Sequence, residues 1–295
     1  MALIRAPLVW RYQRWTCMVL WLLLAFPVCH SAGNRGLSTP LVQGTVWQPD
    51  NMTANPTGQW NRIGARQLLV QWTVVDNIAF VAGTSVATSQ EMPDWRRIAK
   101  EPWAEEVILG LAGRFDGNLA RDDLPRLAEL SRQLSMLETP LKVVGWYFPV
   151  EVDSTWVGVQ RLPEFLALLP RPLWISVYDS SNEGAEDFVN WLANWLPSDV
   201  GIFFQDGVGV HARTAAVALE YADKLANRFG KQRVKIIAEA FRPKVGGGFR
   251  SAFVEELLPQ LMVYRGHAVY LFDGPHYVPA KLVDELLQGT TERRN

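Results

Sequence analysis

Short apolar runs rich in Val, Ile and aromatic residues recur along this chain, and helical patterns fill the gaps between them. The runs are Leu41–Trp47, Leu68–Val74, Val107–Leu111, Val143–Phe148, Leu173–Tyr178, Gly201–Gln205, Val234–Phe241 and Ala268–Phe272. Continuous rather than alternating apolar character marks strands buried on both faces, as in parallel sheets. Leu124, Leu127, Leu130, Leu134 and Leu137 share one helical face. So do Phe165, Leu166 and Leu169, and then Phe188, Trp191, Leu192 and Trp195, where the two tryptophans read as packing residues. Ala215, Leu219, Ala222 and Leu225 stripe a helix within 212–229, with Gly230 as its C-terminal cap. Phe253, Leu257, Leu258 and Leu261 follow the seventh run, and Leu282, Leu286 and Leu287 the eighth. The first crossover, 58–67, is short; the second, 76–106, is long and irregular. Eight strand–helix units in about 250 residues is the arithmetic of an α/β fold of the (β/α)8 TIM-barrel type. The expected domain is 41–290, with no Pro/Gly/Ser linker to divide it. An open doubly wound sheet is the alternative.

The chain ahead of the first strand has a different character. Arg5, Arg11 and Arg14 precede an almost wholly apolar stretch, Trp15 to Val28, and then the small residues Ser31, Ala32 and Gly33. Basic, apolar and cleavable parts in that order form a secretory signal peptide, here 1–32, followed by a polar leader, 33–40. The apolar run falls short of the roughly 20 residues that span a bilayer. The expected location is therefore periplasmic or secreted, with an uncleaved inner-membrane anchor as the rival. Both cysteines, Cys17 and Cys29, fall inside the signal, so a cleaved chain has no disulfide or thiol chemistry. Removing three of the 29 basic residues leaves 26 against 30 acidic ones, which gives no electrostatic support for nucleic-acid binding.

In barrel enzymes the site forms at the carboxyl ends of the strands. Those ends carry Trp47-Gln48, Gln71-Trp72, Trp146-Tyr147 leading to Glu151, Tyr178-Asp179, Gln205-Asp206, Glu239 with Phe241, and the segment from Phe272 to Tyr277. Thirteen tryptophans are also more than core filling needs. Flat rings stack on the apolar faces of sugars, and carboxylates and Gln meet the hydroxyl rim, so this mouth suits a carbohydrate. Glycoside hydrolysis needs two carboxyl groups flanking the bond. Glu239 and Glu151 are the chosen pair, with Asp206 the third candidate. Glu239 lies in an otherwise apolar strand, where a carboxylate is costly unless bonded or functional. A structural ion pair with Arg114 is its competing reading. Asp206 also reads as an Asx-turn, Asp179 as a helix cap, and Glu151 as a solvated loop acid.

Other chemistries lack their residues. There is no Gly-x-Ser-x-Gly elbow, no GxGxxG and no P-loop, and export argues against ATP or NAD as cofactor. His211, His267 and His276 follow the signal without metal-ligand spacing, so neither a metal nor a cofactor is expected. Gly246-Gly247-Gly248 reads as a mobile loop beside the site rather than a phosphate cradle.

The segments Gly44–Pro49, Leu69–Thr73, Gly145–Tyr147 leading to Glu151, Gln205–Gly209 and Glu239–Phe241 resemble a family of exported bacterial TIM barrels described as glycoside-hydrolase-like. The resemblance runs, in order, over nearly all of the chain after the signal. It implies a barrel, export, and a polysaccharide ligand in exopolysaccharide or cellulose-type systems. The fourth strand departs from the best-known retaining clan, reading Phe148-Pro149-Val150-Glu151 without an Asn-Glu pair. The expected function is an exported glycoside hydrolase acting on a polysaccharide, the cell's own exopolysaccharide among the candidates. Glu239 is then nucleophile or stabilising base, and Glu151 the acid/base. Asp206 and Gln205 orient sugar or water. Trp47, Trp72, Trp146, Tyr147, Tyr178 and Tyr277 form the subsites, with Gln48, Gln71, Asp179 and Phe241 beside them. The alternative from another class is a catalytically silent carbohydrate-binding barrel, partnered with polysaccharide synthesis or export machinery. A deacetylase or lyase ranks below both, because the metal set is missing.

Overall fold

The computed structural model describes residues 40–292; the expected signal peptide and all of the leader but Pro40 lie outside them. Eight parallel strands close into a barrel. They are β1 (Gly44–Trp47), β2 (Gln67–Val70), β3 (Glu106–Gly110), β4 (Val143–Asp153), β5 (Leu173–Tyr178), β6 (Val200–Gln205), β7 (Val234–Glu239) and β8 (Ala268–Phe272). Each pairs with its sequence neighbours, and β1 pairs with β8 through Gly44–Tyr270 and Thr45–Leu271. That seam rules out the open sheet. All eight expected strands are present, β1 starting three residues later than its apolar run. The β2 run ends early because Gln71–Thr73 leave the ladder. β4 runs longer, with a register shift between Phe148 and Val152.

Alternate residues of each strand face the barrel axis and the helices. Inside, Val46, Leu69, Ile108, Tyr147, Phe203, Ile237 and Tyr270 form their own cluster. The Phe203 ring lies at the centre, 5.0 Å from Tyr270, 5.4 Å from Trp174 and 6.0 Å from Tyr147. Gly201 is needed there, because a Cβ would overlap the Trp174 ring. Outside, Leu68, Val70, Phe148, Ile175, Phe204, Ile236 and Leu271 pack against the helices. Burying a side chain of that size contributes about 1.5–3 kcal/mol.

The helices are α1 (Gly117–Asp122), α2 (Leu124–Leu134), α3 (Leu162–Leu166), α4 (Ala185–Ala193), α5 (Ala215–Phe229), α6 (Val254–Val263) and α7 (Ala280–Glu292). α5 starts where the Thr214 hydroxyl accepts from the Val217 amide at 3.3 Å, and ends at Gly230, whose φ is 91°. Its buried stripe is Ala218, Tyr221, Ala222 and Leu225, rotated slightly from the expected one. Trp191 and Trp195 pack edge to face, 5.5 Å apart, as the helical spacing predicts. No helix among the described residues is long and apolar enough to cross a membrane.

Two small sheets cap the carboxyl end. Val74–Val75, Ile78–Ala79, Ala87–Thr88 and Ala112–Gly113 form one, built on the continuations of β2 and β3 and accounting for much of the irregular second crossover. Phe241–Pro243 pairs with Phe249–Ser251 to make a hairpin after β7. Gly246, Gly247 and Gly248 turn that hairpin with φ of 89°, 102° and 74°, so they are a defined turn.

Candidate active site

Strand alternation sorts the candidates. Leu69 and Val46 face the axis, so Gln71 and Gln48, two residues on, face it at the mouth. The same alternation turns Glu151, Tyr178, Gln205, Glu239 and Phe241 inward, with Phe272 beside them. These positions form one layer at the carboxyl end of the barrel. Trp47, Trp72, Trp146, Asp179 and Asp206 have the opposite parity.

Glu239 ends β7 and is 6 % exposed. Its Oε2 accepts from the Val210 amide at 3.2 Å, and the Gly209 amide also donates to the carboxyl. A Cβ on Gly209 would come within 2.6 Å of the Glu239 Cβ, so only glycine lets the loop after β6 approach this closely. Burial first, and then the neighbouring Asp206 charge, push the Glu239 carboxyl up to about 8. Asp206 is fully buried and pushed up by the same burial. It accepts from the Val208 and Glu239 amides, both at 3.2 Å, from Gln260 Nε2 at 2.5 Å, and from the Tyr264 hydroxyl at 2.9 Å. Four donors support an ionised Asp206, and that charge behind Glu239 favours the protonated form of Glu239.

Glu151, in β4, is half-buried. Burial, then the Asp153 charge, raise its carboxyl, while Arg121 and a hydrogen bond with Gln205 oppose the rise. The Arg121 guanidinium donates to the Glu151 carbonyl at 3.2 Å and stacks 5.1 Å over Trp156. Each carboxyl thus has a like charge raising it, Asp153 for Glu151 and Asp206 for Glu239, and a cation with hydrogen bonds opposing the rise: Arg121 and Gln205 for Glu151, Arg213 and the Val210 and Gly209 amides for Glu239. Tyr178 lies on β5, between β4 and β6. Burial, then the charge of Glu239 and, more weakly, that of Glu151, push its hydroxyl up to about 12. The two carboxyls thus share one electrostatic neighbourhood. Gln71, across the barrel, holds a buried Oε1 with no hydrogen-bond partner.

The other sequence-chosen residues lie elsewhere. Trp47 is fully buried, against Trp95 at 5.5 Å, and donates to Thr53 Oγ1. Trp72 is buried and donates to the Pro49 carbonyl at 3.0 Å. Trp146 packs on the helix side of β4. Tyr147 faces the axis but one layer down, buried and bonded to the Ser176 hydroxyl at 2.8 Å. None of these four offers a free ring face to the mouth, which corrects the expectation that they form subsites. Asp179 is fully buried and accepts from Ser154, Ser181, Tyr221 and the Glu183 amide, so it ties loops together beneath the mouth. Arg114 pairs with Asp123, not with Glu239. Phe241 and Tyr277 pack 5.2 Å apart at the rim, Tyr277 half-buried.

Several contributors went unread in the sequence. Gln260 and Tyr264, on and just after α6, hold Asp206, and Gln260 also accepts from Arg242 at 2.8 Å. Arg213 is buried under Tyr178, its ring distance 5.2 Å, and bonds Asn182 and the carbonyls of Asp179 and Asp206. A polar residue on the buried stripe of α6 was the one available sign. His276 clamps two rim loops: its Nδ1 lies 2.9 Å from Asp273 and its Nε2 3.1 Å from Asp50. Burial opposes the charge, but the two carboxylates outweigh it and push His276 up to about 10. Its contribution to stability is fully present below the unfolded value near 6.5 and is lost as pH rises through about 10. His276→Gln should lower Tm at pH 6 and match wild type at pH 10.5 and above. The clamp is partly exposed, so the gap at pH 6 should be about 2–4 °C, from roughly 1 kcal/mol. A gap that persists unchanged at pH 10.5 would refute an ionic clamp.

Among the described residues, no group of three or more His, Cys, Asp or Glu is arranged to hold a metal ion. What the geometry defines is a (β/α)8 barrel with two carboxyl groups, each raised by burial and a neighbouring acid, at its carboxyl-end mouth. No protein-family model matches the sequence, and no curated protein matches it. A solved chain from Bacteroides thetaiotaomicron, described as a "putative alpha-L-fucosidase", is similar in structure with a TM-score of 0.57 at 16 % identity, over 87 % of this chain and 97 % of that one. At that identity the likeness establishes the shared fold.

Proposed function

We propose that this chain is an exported glycoside hydrolase-like protein acting on a polysaccharide. The observation that carries the reading is the pair of carboxyls in the inward layer at the barrel mouth: Glu239 buried beside Asp206, and Glu151 beside Asp153 with Arg121 and Gln205 against it. A carboxyl that burial and a like charge push up to about 8, as at Glu239, is tuned as a general acid requires. Glu239 enters the reaction protonated and gives its proton to the leaving glycosidic oxygen. Glu151, whose ionised form Arg121 and Gln205 support, acts as the second carboxylate and either attacks the anomeric carbon or takes the proton of an attacking water. This exchanges the roles expected for the two glutamates from the sequence. Gln71, Gln48 and Gln205 meet hydroxyls, and Tyr178, Phe241, Phe272 and Tyr277 supply the rings. The printed description of the structurally similar chain supports a glycosidase by analogy. The signal peptide, a periplasmic or secreted location and a place in an exopolysaccharide system belong to the same proposal.

The rival is a non-catalytic carbohydrate-binding barrel, favoured by the near-complete burial of Glu239 under the Gly209–Val210 amides. A reducing-sugar screen of wild type beside Glu151→Gln decides between them. The expected result is release by wild type, with a loss of about 10²–10⁴-fold in the variant. Equal glycan binding by both proteins with no release by either would select the rival.

A further inference from the structure

We propose that the amino end of the barrel, opposite the mouth, holds a second binding site: a cleft that takes the carboxylate or phosphate group of a small anionic molecule, with the Lys235 ammonium as its inner donor and Lys231 at its lip.

The cleft has a volume of about 670 Å³, and Gln43, Arg66, Gln67, Glu106, Lys142 and Lys231 are among the residues that line it. The inward parity of β7 puts Lys235 two residues below Ile237, in the layer of Gln67 and Glu106. Ala268, its register partner on β8, lines the cleft. Lys235 is only 8 % exposed, and among the described residues its ammonium makes neither a hydrogen bond nor an ion pair. It lies over two rings, 4.8 Å from the Trp174 centroid and 5.3 Å from that of Tyr270. Such rings attract a cation but offer its three N–H groups no oxygen. Glu106 attracts the ammonium from beyond ion-pair distance, and its own oxygens are taken by Lys142 at 2.9 Å and Gln67 at 2.7 Å. Gln67 Oε1 is taken in turn by Gln43 at 3.1 Å and by the Tyr270 hydroxyl. Both neighbouring side-chain acceptors therefore have donors already. Burial lowers the Lys235 ammonium to about 8, in keeping with a cation that has no oxygen partner. A Leu or Met would fill the space over Trp174 at lower cost, so stability alone does not account for a charge here.

The charges around the cleft point the same way through separate residues. Its two acids are matched, Glu105 by Arg66 at 2.7 Å and Glu106 by Lys142 at 2.9 Å. His267 is turned to Asp223 at 2.8 Å. Lys231, exposed in the same lining, has no acid within ion-pair reach among the described residues. Two cations are thus uncompensated, one inside and one at the lip, on a chain whose formal net charge is -1. An anion drawn in by Lys231 supplies the oxygen that the Lys235 N–H groups lack. The cleft lies at the other end of the strands from Glu151 and Glu239, so the site is independent of the chemistry at the mouth.

Calorimetric titration of the full chain at pH 7 with inorganic phosphate and with citrate tests the site. At least one of them should bind, with one anion per chain. Tighter phosphate points to a phosphoryl-bearing ligand, and tighter citrate to a polycarboxylate. Lys235→Met, which keeps the bulk and drops the charge, should bind that anion about tenfold more weakly or worse, while melting no lower than wild type. Lys231→Ala, an exposed change, should weaken it about twofold to fivefold. Arg126→Ala, at the mouth end beside Asn77, should leave it unchanged. Binding of neither anion, or unchanged affinity in Lys235→Met, overturns the proposal. If Lys235→Met fails to fold, the two surface variants decide: equal affinity in both overturns it, and a loss confined to Lys231→Ala sustains it.

Discussion

Replacing Glu239 by Gln should make the protein more stable and at the same time remove its activity. Both effects follow from one proton. In the unfolded chain this carboxyl titrates near the ordinary glutamate value of 4.5; in the fold it is pushed up to about 8. Between those values the native state binds more protons than the unfolded state, so the wild type loses stability as pH rises. Above about 8 the wild type holds an ionised carboxylate in a buried site beside Asp206. A glutamine keeps the acceptor for the Gly209 and Val210 amides and never ionises. The stability gap should open from pH 4.5, grow to pH 8 and then stay level. Its plateau is on the order of 2 kcal/mol, discounted from the full shift because part of that shift comes from the Asp206 charge, which also responds to pH. Turnover should fall about 10²–10⁴-fold, the usual contribution of a positioned general acid. Denaturant titrations at pH 5, 7 and 9, beside sugar-release assays, read both. A variant less stable than wild type at pH 9 would mean that Glu239 is a paired structural ion.

The barrel was legible because parallel strands covered on both faces leave an unbroken apolar run, and all eight runs became strands. The inward layer at the mouth was only half legible. A sequence run shows that a strand exists, but at its end it offers two adjacent residues of opposite parity. At Trp47-Gln48 and Gln71-Trp72 the aromatic attracts notice as a sugar platform, yet the glutamine faces the axis and the tryptophan anchors the loops. At Gln205-Asp206 the acid draws attention, and the glutamine is the one at the mouth. Counting back in twos from the apolar positions inside the barrel would have sorted these pairs. What could not be read is the support from elsewhere in the chain. Gln260 and Tyr264 reach Asp206 across more than fifty residues, and no local pattern announces that contact.

Asp206 itself offers the sharpest separation of positioning from chemistry. It is fully buried, and its four donors leave no oxygen for a substrate. Its route to the reaction runs through Glu239, as a like charge that keeps the neighbour's proton in place. Asp206→Asn removes that charge while retaining one oxygen for the two backbone amides. The new NH2 group faces the Gln260 and Tyr264 donors, so stability should fall by about 1–3 kcal/mol. Without the repulsion, Glu239 should release its proton at lower pH. The alkaline limb of kcat/KM, expected near 8 in the wild type, should then move down by about one unit. The rate at pH 5, where Glu239 stays protonated in either protein, should change little. A direct catalytic role predicts a different pattern: a loss of about 10²–10⁴-fold at every pH with the limb unmoved. Profiles of wild type and Asp206→Asn from pH 4.5 to 9.5 separate the two, because a fold defect lowers the whole curve and only a charge acting on Glu239 shifts it sideways.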